Sequence, residues 1–364
     1  MLQEKERYLQ ILERESMNKF AWNNLGELYL REDDFFEAKK CFENAIDIDG
    51  NYANALYNLS LIYLYQGNYQ KGFKLLEYRS LVDKRRNNFS TRGKLSIQKR
   101  LNRLEKLDGK TLYIYQEEDF RASNSDYIFL ARFIPLLKKY NCKIVMDIDS
   151  QLVPLFKNSN LGIDKFNPLF LTYDYHVPLF SLPMFFDIQE YSIPFKNGYL
   201  KADCKKIEDY KNEYFNNNKL KIGLYYQKNS KTLTKKSIDP MLLEDLFDIK
   251  GVQFYSFQKS MDYRNYYLVD IGKTFKDTSD VAGALSTLDL MIGIDSVTTS
   301  IACALNIPTW ILLDKKSHWK WQLNRVDSPW FNSAKLIRQI YDNSWSSVIL
   351  SVKENIEIIS RTMR

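Results

Sequence analysis

The stretch LMIGIDSVTTSIACALNIPTWILL, residues 290–313, decides how the second half of this chain folds. LMIGI is a short apolar run closed by Asp295 and Ser296, as expected of a buried strand. A helix follows over 297–305, and PTWILL (308–313) reads as the next strand. Strand, helix and strand in so short a span imply parallel pairing, with helices on the sheet faces. The first strand ends at Ile294, and Asp295, Ser296, Thr298, Thr299 and Ser300 open the helix. Free N–H groups at a helix start form an anion site, to which hydroxyls add donors, and a diphosphate fits there. Plain N-capping by Asp295 or Ser296 uses the same chemistry, so both readings stand.

Upstream, the same alternation recurs. KTLYIY (110–115) and KIVMDI (143–148) read as strands, DYIFLARFIPLLKKY (126–140) as a helix, and 150–157 as a short helix. The proline-rich segment from His176 to Pro194 breaks the pattern, and KNEYFNNNKL (211–220) reads as a connection between lobes. A second series begins with KIGLYY (221–226) and continues through VQFYSF (252–257), a helix at 278–287 and the strand LDLMIGI (288–294). Two consecutive Rossmann-like halves leave a cleft, and ligands of such sheets bind at the carboxyl ends of the strands.

The amino-terminal part has a different period. Trp22, Leu25, Tyr29 and Phe35 recur as Leu56, Leu59, Tyr63 and Tyr69, and Ala38 and Phe42 recur as Gly72 and Leu76. The interval is that of the tetratricopeptide (TPR) repeat, about 34 residues. Gly26 and Ser60 are the small residues at which paired helices approach. Tyr8 falls one period before Phe42, so residues 3–14 read as the second helix of an incomplete first repeat. These positions form a packing seam; the surface they support suits a protein or peptide partner, or simply braces the α/β region.

The fold class expected is therefore α/β, with N-terminal all-α TPR repeats followed by two Rossmann-like lobes. The expected divisions are a TPR module at 1–82, a basic helical linker at 83–108, an N-terminal lobe at 109–210, a C-terminal lobe at 218–345 and a terminal helix at 346–364. Between Lys84 and Lys106 nine Lys or Arg stand against one acid, Glu105. Such a run is usually a solvated surface, but it also offers a contact for an acidic partner or an anionic membrane surface. Nucleic acid is the weaker reading, because the net charge of +7 is modest and its excess is local. Cys41, Cys142, Cys204 and Cys303 are scattered, with no metal-ligand or CxxC spacing, as in reduced cytoplasmic proteins. The opening MLQEKERYLQ lacks the apolar stretch of a secretion signal.

The run IDSVTTSIACALNIPTWILL, followed by HWKWQLNRVDSPWFNSAKLIRQ (318–339), resembles the C-terminal half of bacterial TPR-containing glycosyltransferases related to glycosyltransferase family 9, the heptosyltransferase-like enzymes of GT-B fold. Asp327-Ser328-Pro329-Trp330 matches the Asp-Ser-Pro-Trp-Tyr of that family. In order along the chain, LLEYRS (75–80), LDGKTLYIY (107–115), HVPLFSLP (176–183), IGLYYQKNS (222–230) and FYSFQK (254–259) resemble further family segments. Two positions depart from it. The family's Glu-Gln-Gly-Leu-Gly-Asp loop is replaced by EEDFRASNSD (117–126), which keeps only the final Asp126, and a family His appears here as Ser300.

The resemblance implies transfer of a sugar from a nucleotide-sugar donor to a protein or glycan acceptor, with the TPR module binding the acceptor or partner. It implies no metal and no cofactor beyond the nucleotide-sugar co-substrate. Asp295, Ser296, Thr299 and Ser300 would lie by the donor. Lys235 or Lys236 would neutralise the diphosphate, and Gln258 would touch base or ribose. Asp126 would take the acceptor's proton as general base, although it reads equally as a helix cap. The two departures also admit an alternative, a catalytically degenerate GT-B/TPR scaffold that binds partner proteins.

Overall fold

The structure, a computed structural model, describes residues 2–82, 95–117, 123–227, 237–259, 267–341 and 344–362. These fall into two compact units. One takes in the described residues of Met1–Gln98, Glu117–Asp119 and Ser181–Ser192; the other takes in those of Lys99–Gln116, Phe120–Phe180 and Ile193–Arg364.

The first unit is helical: α1 (Leu2–Arg14), α2 (Lys19–Arg31), α3 (Phe35–Ile48), α4 (Ala53–Tyr65), α5 (Tyr69–Leu76) and the single turn α6 (Arg79–Val82). The repeat shows in the caps as well as the core. Asp34 caps α3 by accepting from the N–H of Glu37, and Asn68, one period later, caps α5 by accepting from the N–H of Lys71. Ala38, Phe42, Ala45, Ala55, Leu59 and Ile62 form the buried seam between α3 and α4. Gly26 is required by close approach: a Cβ there would lie 2.6 Å from the Phe42 ring. Helix α1 supplies Leu12 to a second cluster with Ala21, Leu25 and Cys41, as expected of a half-repeat.

At its end the unit buries an arginine. Nε and Nη2 of Arg79 both donate to Oε2 of Glu117, at 3.1 and 2.9 Å, and Nη1 donates to Glu77 Oε1 at 2.7 Å. Nη2 also donates to Ser181 Oγ at 2.9 Å. Two carboxylates hold the guanidinium above its ordinary pKa against the burial that works to lower it.

The second unit holds two parallel sheets. In the first, β1 (Thr111–Tyr115) is followed by α7 (Asn124–Leu130), β2 (Lys143–Asp147), α8 (Val153–Asn158), β3 (Lys165–Phe166) and β4 (Tyr175–Pro178), with strand order β3-β2-β1-β4. In the second, α9 (Cys204–Tyr214) leads to β5 (Leu220–Tyr225), β6 (Val252–Ser256), β7 (Leu268–Asp270), α10 (Thr278–Leu285), β8 (Leu290–Ile294), α11 (Val297–Ala304), β9 (Thr309–Leu313), β10 (Ala334–Arg338) and α12 (Ser346–Thr362). Its strand order is β10-β9-β8-β5-β6-β7. Val348, Ile349, Val352 and Ile356, one stripe of α12, cover one face of this sheet against Ile222, Leu224, Ile292 and Leu312.

The structure corrects several local expectations. Helix α7 stops at Leu130, and Ala131–Tyr140 continues as a tighter 3-10 coil containing Pro135, which has no N–H to donate and crowds the preceding turn. The segment from His176 is not merely a break: Tyr175–Pro178 is a strand paired to β1, too short to show a period. The stretch 211–220 is not all connection, because α9, capped by Asp203, runs to Tyr214. Residues 95–108 do not form a continuous helix. They make two 3-10 turns, Ile97–Lys99 and Leu104–Leu107, and bury Leu101, Leu104 and Leu107. Residues 83–94, which carry five of the nine basic residues of the 84–106 run, lie outside the described residues. No helix among the described residues is long and apolar enough to cross a membrane.

Candidate functional site

The carboxyl ends of β1 and β8 lead into α7 and α11, and the starts of these two helices meet. Ser125 on α7 and Ser300 on α11 share a hydrogen bond of 2.7 Å between their hydroxyls, and both are buried. Around this contact stand three charged side chains, Asp126, Asp295 and Lys320.

Asp126 is the third residue of α7, whose N-cap is Ser123. Its Oδ2 accepts from both the N–H and the hydroxyl of Ser123, at 2.8 and 2.9 Å. Among the described residues no hydrogen bond reaches Oδ1, which lies 3.9 Å from Nζ of Lys320. One oxygen therefore closes a capping box while the other faces the ammonium.

Asp295 sits between β8 and α11, its side chain 24% exposed, with Oδ1 3.0 Å from Lys320 Nζ. Ser296 is the N-cap of α11. Its Oγ accepts from the N–H of Thr299 at 3.2 Å, and the Thr299 hydroxyl accepts from the Ser296 N–H at 3.0 Å. Thr299 is fully buried and also donates to the carbonyl of Ile294.

Lys320 projects from the 3-10 turn Trp319–Trp321, between β9 and β10, and its side chain is 2% exposed. It donates to Ser125 Oγ at 3.0 Å. Burial works to lower the ammonium's pKa, but Asp295 and then Asp126 outweigh it and hold the group above its ordinary value. The turn is fixed by aromatic packing. Phe129 on α7 meets Trp319 edge-on at 5.7 Å and Trp330 at 4.7 Å. Beside them Arg132, fully buried, donates to the carbonyl of Trp330 and lies over the rings of Phe331, Tyr199, Phe129 and Trp330.

Of the residues singled out from sequence, Asp126, Asp295 and Ser300 come together, with Ser296 and Thr299 just behind them. Gln258 does not join them. It follows β6, two strands from β8 and so roughly 10 Å away across the sheet. Its amide is engaged with the backbone of Gln227, accepting from the N–H and donating to the carbonyl. Lys235 and Lys236 lie outside the described residues. His176 is buried in β4 beside Tyr115, and His318 accepts from the N–H of Lys320. Sequence reasoning missed Lys320 and Ser125. The signal for Lys320 was its place between two tryptophans, where a charge has no solvent of its own.

Comparison with known proteins agrees with this architecture. Residues 20–77 match the tetratricopeptide repeat family. No curated protein matches the sequence. Among solved structures, the chain is similar to a glycosyl transferase family 9 protein from Veillonella parvula at 11% identity, with a TM-score of 0.51, covering 71% of this chain and 97% of that one. The ADP-heptose LPS heptosyltransferase II of E. coli aligns at 12% identity and a TM-score of 0.49, over 70% of this chain and 98% of that one. Residues 20–77 are thus tetratricopeptide repeats, and the parallel sheets that follow have the fold of the GT-B glycosyltransferases.

Proposed function

We propose that this protein is a glycosyltransferase that moves a sugar from a nucleotide-sugar donor to a hydroxyl of a protein or glycan acceptor, with the TPR module holding the acceptor or partner. The observation that carries the reading is the pair Asp126 and Asp295. They come from two parallel sheets of GT-B fold, at the strand ends where such sheets take ligands, and face one ammonium. In the transfer, the acceptor oxygen bonds to the anomeric carbon as the bond from that carbon to the diphosphate breaks. The acceptor's proton passes to Asp126 Oδ1, the oxygen left over from capping. The leaving diphosphate takes the electron pair and lies against the start of α11, with Lys235 or Lys236 as its counter-charge. The reading calls for no cofactor besides the donor. It places the protein in the cytoplasm, in keeping with four unpaired cysteines, and leaves the basic 84–106 segment to meet an acidic partner or anionic lipid.

One observation favours the scaffold alternative: the hydroxyls of Ser296, Thr299 and Ser300 are all engaged within the protein. Thermal-shift measurement against UDP-, GDP-, ADP-, CMP- and dTDP-sugars separates the two. A shift with one nucleotide class, absent in Asp295→Ala, together with transfer lost in Asp126→Asn, supports the enzyme. Full-length protein that shifts with none of them is a scaffold.

A further inference from the structure

We propose that Lys320 is the positioning residue of this transfer, a buried ammonium that sets the carboxylate of one lobe against the carboxylate of the other. The proposal rests on the glycosyltransferase reading and names a residue which that reading did not need.

Lysine is almost never fully buried unless paired, because stripping its charge of water is costly. Here the side chain is buried, its Nζ 5.1 Å from the centre of the Trp321 ring, and it finds partners from both lobes. It donates to Ser125 Oγ from α7 at 3.0 Å and is ion-paired, also at 3.0 Å, with Asp295 Oδ1 beyond β8. The remaining side faces Asp126 Oδ1 at 3.9 Å, too long for a hydrogen bond and short enough for strong attraction where water is excluded. The geometry is thus unequal: Asp295 is held in a close ion pair, while Asp126 is oriented from farther off and left able to accept a proton.

Two carboxylates about one ammonium leave one negative charge in excess. That excess suits a base that must take a proton as the acceptor oxygen attacks. Ser125 adds a second link, because its hydroxyl touches both Lys320 and Ser300. The base on α7 is therefore registered to the second lobe at two points on adjacent residues. Trp319 pins the turn that carries Lys320 onto Phe129, one helical turn beyond Asp126 on the same helix. Lys320 touches neither donor nor acceptor in this scheme. It acts through Asp126 and Asp295.

The test is steady-state transfer by full-length Lys320→Met, Lys320→Arg, Asp126→Asn and the double variant Lys320→Met/Asp126→Asn, using whichever nucleotide sugar shifts the wild type. Lys320→Met is expected to keep a donor-induced shift, reduced by the loss of Asp295's partner, while kcat falls about 100-fold or more, well beyond any rise in donor KM, the scale of a mispositioned general base. The double variant is expected to be no slower than the slower single, because both changes disable one unit. Should Lys320→Met fail to fold, Lys320→Arg decides. It keeps the charge, but its planar fork cannot reproduce the three-way contact, so kcat should still fall about 10-fold or more. Wild-type kcat in either folded variant, or multiplicative losses in the double variant, overturns the role and leaves the transferase reading intact. A wild type with neither donor shift nor transfer overturns both.

Discussion

Replacing Gly272 with alanine should damage the second unit through a clash between two backbones. Gly272 follows β7 and lies against the chain leaving β6. A Cβ at this position would stand 1.9 Å from the carbonyl oxygen of Gln258, 2.5 Å from its carbon and 2.8 Å from its nitrogen. The first distance falls short of an ordinary contact by roughly 1.5 Å. Both partners are backbone, so no side chain can turn aside to absorb the clash. The two loops must separate, at the expense of the hydrogen bond from Ile271 N–H to Ser256 and the engagement of Gln258 with Gln227. Overpacking of this kind costs about 1–3 kcal/mol, and the upper end applies here because neither side can yield. For a unit of this size that is a fall in Tm of roughly 6–12 °C. Far-UV circular dichroism during thermal unfolding measures it, with Gly50→Ala as the matched control. A Cβ at Gly50 meets nothing within 4 Å, so that variant should stay within about 0.5 kcal/mol of wild type. If Gly272→Ala melts with Gly50→Ala, the close approach is not a constraint and the reasoning fails. If Gln258 touches the nucleotide, Gly272→Ala should also lose the donor-induced shift.

Other outcomes rest on the buried charges and caps. Arg79→Met leaves Glu77 and Glu117 without their cation and should cost the first unit about 3–5 kcal/mol in urea unfolding. Adding Glu117→Gln should return at least about 1 kcal/mol, and an additive loss in the double variant would contradict the pairing. Burial pushes the thiols of Cys41 and Cys303 up to about 12, so a thiol reagent at pH 8 should label exposed Cys204 first and reach those two only on unfolding. Rapid native labelling of Cys303 would refute that burial. At Asp277, the cap of α10, burial works to raise the carboxyl's pKa, but the Ser279 hydroxyl and N–H, with Lys206, hold it below the ordinary range. Asp277→Ala should therefore cost about 1 kcal/mol at pH 7. The charge-linked part of the cap is complete above the unfolded pKa of about 3.9 and is lost as pH falls through the lower folded value. A gap between variant and wild type that is as large at pH 2 as at pH 7 would count against it.

What was legible in the sequence was what repeats or alternates locally. The TPR helices announced themselves through a fixed period in large and small residues, and the strands of LMIGI and TWILL through unbroken apolar runs buried on both faces. Strands β3 and β7 are two and three residues long, too short for any period. Strand β10 carries an exposed Lys335 and a half-buried Arg338, so its composition reads as surface. The Pro135 break needed backbone geometry that an apolar helical pattern hides. At the site, Asp126 and Asp295 were nominated by motif, but their common partner was not. Lys320 and Ser125 are 195 residues apart, and Ser125 and Ser300 are 175 apart. Nothing local in the chain marks such a meeting: the tryptophans that flank Lys320 hint at its burial, but not at the partners that burial brings to it.

The Arg79 cluster bears on how such a chain can be recombined. Glu117 lies two residues past the last residue of β1, and Ser181 lies three past the last of β4, yet both belong with the helical unit and are held by Arg79 of α6. The helical unit is therefore assembled from separate stretches of sequence. A graft or truncation cut near residue 82 would strip two returning segments of their partners and strand a buried carboxylate at Glu117. Exchange of specificity between chains of this design would have to carry the repeats, 117 and 181–192 together, so its recipient would inherit three separate pieces of sequence rather than one.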